Sequence, residues 1–138
     1  MRQFLRISAA ALAILAGTSF GLSAQTTTDQ QAEKELLESI DNEIERLTEM
    51  LDLDDAQIFY VDSILVHDYT EMQREFKALQ EKKVSNADLY DDIQFKWQDQ
   101  VYYSLQKVFN DEQWTRYLKS GAERNKKNRD KKRAKSGK

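Results

Sequence analysis

Apolar residues recur at spacings of three and four along most of the chain. Leu37, Ile40, Ile44, Leu47 and Leu51 form one stripe, which predicts an amphipathic helix over about residues 30–51. Ile58, Val61, Leu65, Tyr69, Met72, Phe76 and Leu79 make a near-heptad seam in a second helix, from Asp54 to about Lys82. At 1.5 Å per residue that arm is roughly 43 Å long. Ser85-Asn86-Ala87-Asp88 reads as a capped start, and a third helix carries Tyr90, Ile93, Trp97, Val101, Leu105 and Val108 on one face. A fourth begins after Asn110 with Trp114, Tyr117 and Leu118. The short connection between the second and third helices predicts an antiparallel hairpin with long arms, flanked by the shorter first and fourth helices.

A second apolar line runs beside the first. Phe95, Tyr102 and Phe109 lie seven residues apart on the third helix, off the Tyr90–Trp97–Val108 face, and Phe59 and Val66 do the same on the second. Two stripes on one helix mean that it touches two things. Either the extra stripes are buried against the flanking helices or a dimer mate, or part of them stays open and holds other polypeptides. Aromatic rings suit loose holding because they offer large contact area with tolerant geometry. Phe59, Val66, Phe95, Tyr102 and Phe109 are therefore the candidate contact residues for a client or partner protein.

The helix starts themselves repeat. Leu53-Asp54-Asp55-Ala56-Gln57 and Phe109-Asn110-Asp111-Glu112-Gln113 align at an offset of 56 residues. Each has an apolar residue, a capping residue and a glutamine three positions on. In such a capping box the cap side chain accepts from an early backbone N–H, and the glutamine reaches back to the cap's own N–H. Leu53 and Phe109 are placed to staple onto Ile58 and Trp114. Leu53, Asp54, Gln57, Phe109, Asn110 and Gln113 thus read as structural rather than catalytic. The pair resembles the two LTxxQ motifs of the Spy/CpxP family, with Asp54 in place of Thr in the first copy and Phe109-Asn110 in place of Leu-Thr in the second. The resemblance spans most of the chain after residue 24. It implies a small all-helical periplasmic protein, a dimer shaped like a thin cradle, and an ATP-independent chaperone or envelope-stress role.

Composition narrows the picture further. Between residues 26 and 120 there is neither Pro nor Gly, so sheets and elaborate loops have no cheap turns; the fold class expected is all-α. Arg2 and Arg6 precede the small and apolar run Ile7–Ala16, and Leu22-Ser23-Ala24 offers a cleavage site. Residues 1–24 read as a secretory signal peptide, because the run is too short for an anchored span. The expected product is soluble and periplasmic or secreted. With 0 Cys, disulfides, thiol chemistry and a lipid-modified cysteine are excluded.

Charge is segregated. Residues 119–138 hold 10 Lys+Arg against 2 Asp+Glu, whereas residues 25–118 hold 9 against 22. The chain therefore divides into a helical domain, 25–120, and a basic tail, 121–138, too polar to pack and expected to be disordered or frayed. Such a tail solvates the end of the chain or touches anionic surfaces; export and the acidic body argue against nucleic acid.

Enzymatic chemistry finds no support. His67 is the sole histidine and lies opposite the seam, so no zinc or copper ligand set is present, and the histidine-rich sets of metal-binding relatives are missing. Acidic pairs such as Asp54/Asp55 fit helix N-termini, and no glycine-rich phosphate loop or serine–histidine spacing occurs. No catalytic residue, metal or cofactor is expected. The leading expectation is a chaperone-like or envelope-stress accessory protein that binds unfolded or partner polypeptides. The alternatives are an adaptor docking one specific envelope partner and, further down, a metal-responsive sensor.

Overall fold

The computed structural model describes residues 22–137. Most of the expected signal peptide therefore lies outside the described residues; Leu22-Ser23-Ala24 form the first turn of the first helix. Among the described residues the fold is all-α, with no strand. The helices are α1 (Leu22–Leu51), α2 (Asp55–Glu81), α3 (Ala87–Val108), α4 (Asp111–Tyr117) and α5 (Glu123–Ser136), with a π turn at Leu118–Ala122 joining the last two. No helix among these residues is long and apolar enough to cross a membrane.

The chain divides into two units, Met1–Glu38 and Ser39–Lys138. In the first, the described residues form the leading part of α1, where Gln31 Nε2 donates to Glu35 Oε1 at 2.8 Å.

In the second unit α2 and α3 run antiparallel. Gln57 at the start of α2 reaches Val108 at the end of α3, His67 meets Trp97 midway, and Phe76 meets Tyr90 near the turn. The core is drawn from the predicted stripes: Ile40, Leu47 and Leu51 of α1, Val61 and Leu65 of α2, and Val101 and Leu105 of α3 are buried, with Leu53 beside them. The distal seam residues Met72, Phe76 and Leu79 are only half-buried, because fewer elements cover the hairpin there.

Without glycine, the two turns are made by residues that accept a left-handed backbone. Asp52 ends α1 at φ 53°, and Leu53 N–H donates back to Thr48 O. Lys83 ends α2 at φ 55°, and Val84 N–H donates back to Leu79 O. Both are Schellman caps, in which the six-to-one bond offsets the cost of a Cβ at positive φ. Asn86 then caps α3 by accepting from Asp88 N–H, and Tyr90 Oη donates to Val84 O to hold the turn.

The basic tail, expected to be disordered or frayed, forms a packed helix in the structure. Residues 123–136 are helical, and α5 lies along α3. Composition pointed the other way because α5 buries no residue and has one apolar residue, Ala134. It packs through cations instead, with Arg129 and Arg133 on Asp99 at 2.9 and 3.0 Å and Lys132 on Asp91 at 2.7 Å.

Candidate functional site

The two capping boxes form as expected. Gln57 N–H donates to Asp54 Oδ1 at 2.8 Å, and Asp54 N–H donates to Gln57 Oε1 at 3.2 Å. Gln113 N–H donates to Asn110 Oδ1 at 2.9 Å, and Asn110 N–H donates to Gln113 Oε1 at 3.0 Å. The fold then brings the two copies face to face. Gln57 Nε2 donates to Gln113 Oε1 at 2.7 Å, and Gln113 Nε2 donates to Gln57 Oε1 at 3.1 Å. Each amide also reaches a helix end next to the other copy: Gln57 Nε2 to Val108 O, and Gln113 Nε2 to Leu51 O, both at 3.1 Å. A carbonyl at the end of α1 is thereby satisfied from α4, and one at the end of α3 from α2. Gln113 is buried, so its amide must find partners inside the protein.

Arg116 completes this joint, and sequence reasoning did not single it out. Its guanidinium donates to Met50 O, to Leu51 O and to Asp52 Oδ2 at 3.2, 3.3 and 3.1 Å. Placing a cation on the last carbonyls of α1 complements the negative end of that helix. The signal was present, since Arg116 follows Gln113 by three residues and shares its side of α4. What it meets depends on the end of α1, which is far away along the chain.

The predicted contact residues part company. Phe59 is 66% exposed and Val66 is half-buried. Phe95 and Phe109 are buried, which corrects the expectation that either offers an open face. Lys132 Nζ and Arg133 Cζ cover the Phe95 ring at 5.6 and 5.8 Å from its centroid. Phe109 packs edge-on against Tyr117, and half-buried Tyr102 packs edge-on against Trp114. The second stripe of α3 is therefore largely covered by α4 and α5; the fourth helix is among the covers expected, whereas the tail is not.

The open aromatic surface lies elsewhere. Tyr60, 57% exposed, stands edge-on to Phe59 with centroids 5.7 Å apart. Tyr60 also borders a shallow groove between α2 and α3, lined by Asp54, Ala56, Gln57, Lys107 and Val108. Tyr60 escaped the stripe analysis because it falls on neither apolar line of α2, and only the burial pattern reveals it.

His67 Nδ1 and Asp68 Oδ1 are 2.8 Å apart, with His67 open to solvent and Asp68 buried. No group of three or more His, Cys, Asp or Glu is placed to hold a metal ion among the described residues. Burial raises the Tyr69 phenol to about 12, with repulsion from Glu43 adding to it. Burial likewise raises Tyr117, assisted by Tyr69 and Glu43. Both are protonated packing groups at neutral pH. No family model, curated protein or solved structure matches this chain.

Proposed function

We propose that this chain is an exported, non-enzymatic helical protein that holds polypeptide segments of the cell envelope by weak contact, in the manner of the Spy/CpxP-like proteins its paired motifs resemble. Export rests on the basic and apolar N-terminus, and the likeness on the two interlocked capping boxes. The observation that carries the binding role is the exposed Phe59–Tyr60 pair, of which Tyr60 borders the α2–α3 groove.

Magnitude favours loose holding. Fully burying one large apolar side chain contributes about 1.5–3 kcal/mol, so the parts of Phe59 and Tyr60 still exposed, 66% and 57%, supply about 2–4 kcal/mol before association entropy is subtracted. A millimolar complex corresponds to about 4 kcal/mol. One patch therefore holds a segment briefly, and useful retention needs several contacts at once. A tight adaptor needs roughly 800 Å² per partner, which is far more than two side chains present.

The test is suppression of aggregation of a chemically unfolded client by the full chain, beside the Phe59→Ser/Tyr60→Ser double variant. Wild type is expected to delay aggregation at several-fold excess, and the variant to lose most of the effect. Equal performance of the two proteins removes the patch from the role. Capture of one stoichiometric partner in a pull-down, without any holding activity, favours the adaptor.

A further inference from the structure

The contact between α5 and α3 has an unusual basis. α5 carries eight Lys and Arg against Glu123 and Asp130, and it buries no side chain. Its ion pairs to α3 end on two carboxylates. Asp99 receives Arg129 and Arg133 at 2.9 and 3.0 Å, with Lys126 at 4.0 Å, and Asp91 receives Lys132 at 2.7 Å. Asp130, within α5, shares Lys126 and Arg133 at 2.6 and 3.5 Å. Three cations thus crowd around Asp99 and Asp130, and the cluster keeps an excess of positive charge. They lie against aromatic rings: Lys132 and Arg133 lie over buried Phe95, and Lys126 lies 5.7 Å from the ring centroid of Tyr103, which stays half open.

The other side of α5 is cationic too. Arg124, Lys127, Lys131 and Lys135 recur at spacings of three and four, so they form one exposed stripe. Of these, Lys127 pairs with Glu123 of its own helix. The joint behind α5 is Gly121, whose φ of 118° no other residue type adopts without strain. An element held by charge pairs, the outer ones at Lys132 and Arg133 partly exposed and the inner Arg129–Asp99 pair largely buried, with no apolar anchor and a glycine at its root, is the part of this fold most sensitive to competing anions.

We propose that α5 is a displaceable arm: an acidic polypeptide takes its cations from Asp99 and Asp91, swings it off α3, and gains the Phe95 ring beneath, beside the already open Tyr103. The acidic class follows from charge complementarity. A polyanion lands on the outward stripe and then outcompetes two isolated carboxylates for the inward one. Apolar residues next to the acidic run complete the fit, because the uncovered surface is aromatic. The inference is independent of the Phe59–Tyr60 patch, which lies on α2.

The chain has no cysteine, so a spin-label pair at Asn128→Cys on α5 and Gln100→Cys on α3 reports the arm without background. Both positions are exposed. At low salt a single narrow distance distribution is expected. Saturating poly-L-glutamate should broaden and lengthen it, as should about 0.5 M NaCl, where screening acts within a few ångströms. Asp99→Asn should lower the NaCl midpoint several-fold, and Arg129→Gln should do the same from the other side. Hydrogen exchange must show α2 and α3 as protected as before, so that release is separated from unfolding. Four outcomes overturn the proposal: a distribution that poly-L-glutamate leaves unchanged, equal release by poly-L-lysine, a midpoint that neither variant moves, and release only with loss of α2–α3 protection.

Discussion

Gln113 to alanine is the sharpest probe of the joint between the two repeats. The substitution removes four hydrogen bonds: those that Gln113 Oε1 accepts from Asn110 N–H and Gln57 Nε2, and those that its Nε2 donates to Leu51 O and Gln57 Oε1. Asn110 is exposed, so water replaces its lost partner, and Leu51 O keeps Arg116. The bond to Leu51 O and the two between the amides remain lost, each worth about 1 kcal/mol, which gives at most about 3 kcal/mol of destabilisation. Gln57→Ala should cost less, about 2 kcal/mol, because Gln57 is half-buried and water reaches part of the site. The two variants share the bonds between the amides, so the double variant should cost less than their sum, by about 1–2 kcal/mol. Gln113→Glu should be at least as damaging as alanine at neutral pH, since a carboxylate donates nothing to Leu51 O and faces Gln57 Oε1. Urea unfolding followed by far-UV circular dichroism measures all four proteins. A Gln113→Ala protein within about 0.5 kcal/mol of wild type, or strict additivity in the double variant, would refute the reasoning.

Three further expectations follow from burial, backbone and charge. Phe95→Ala should cost about 3 kcal/mol in urea unfolding, whereas Phe59→Ala should stay within about 0.5 kcal/mol, because only the first ring is buried; equal costs contradict the assignment of covered and open faces. Lys83→Gly should raise stability by about 0.5 kcal/mol by relieving a Cβ at φ 55°, part of the gain being offset by the freer unfolded chain, and a thermal melt reads the difference. Tyr69 and Tyr117 have folded pKa values above the ordinary phenol value near 10. The unfolded chain therefore releases their protons first, so their contribution is complete below about pH 10 and is lost as pH rises above it, for Tyr69 through about 12. An alkaline titration of fold content should show this loss, and Tyr69→Phe should reduce it.

Much of the fold was legible because helices write their packing into a local period. The stripes on α1, α2 and α3 named the buried Ile40, Leu47, Leu51, Val61, Leu65, Val101 and Leu105. The capping boxes were legible for the same reason, since cap and glutamine are three residues apart and need no tertiary partner to be recognised. Tyr60 and Arg116 were harder, because exposure and long-range hydrogen bonds are not written in neighbouring residues.

By itself the chain determined the α-helical class, the places where α2, α3 and α4 start, the faces that carry apolar side chains and the segregation of charge. These depend on interactions within about one or two turns, which side-chain chemistry and backbone sterics govern directly. Tertiary structure decided which faces stay open. It closed Gln57 on Gln113 across 56 residues, set Arg116 on the end of α1, and laid α5 over Phe95. The last case shows why: hydropathy treats lysine and arginine as solvent-seeking. In the folded chain their charges meet buried-side carboxylates and their cationic heads rest on aromatic rings, so a helix with no apolar face still becomes a cover.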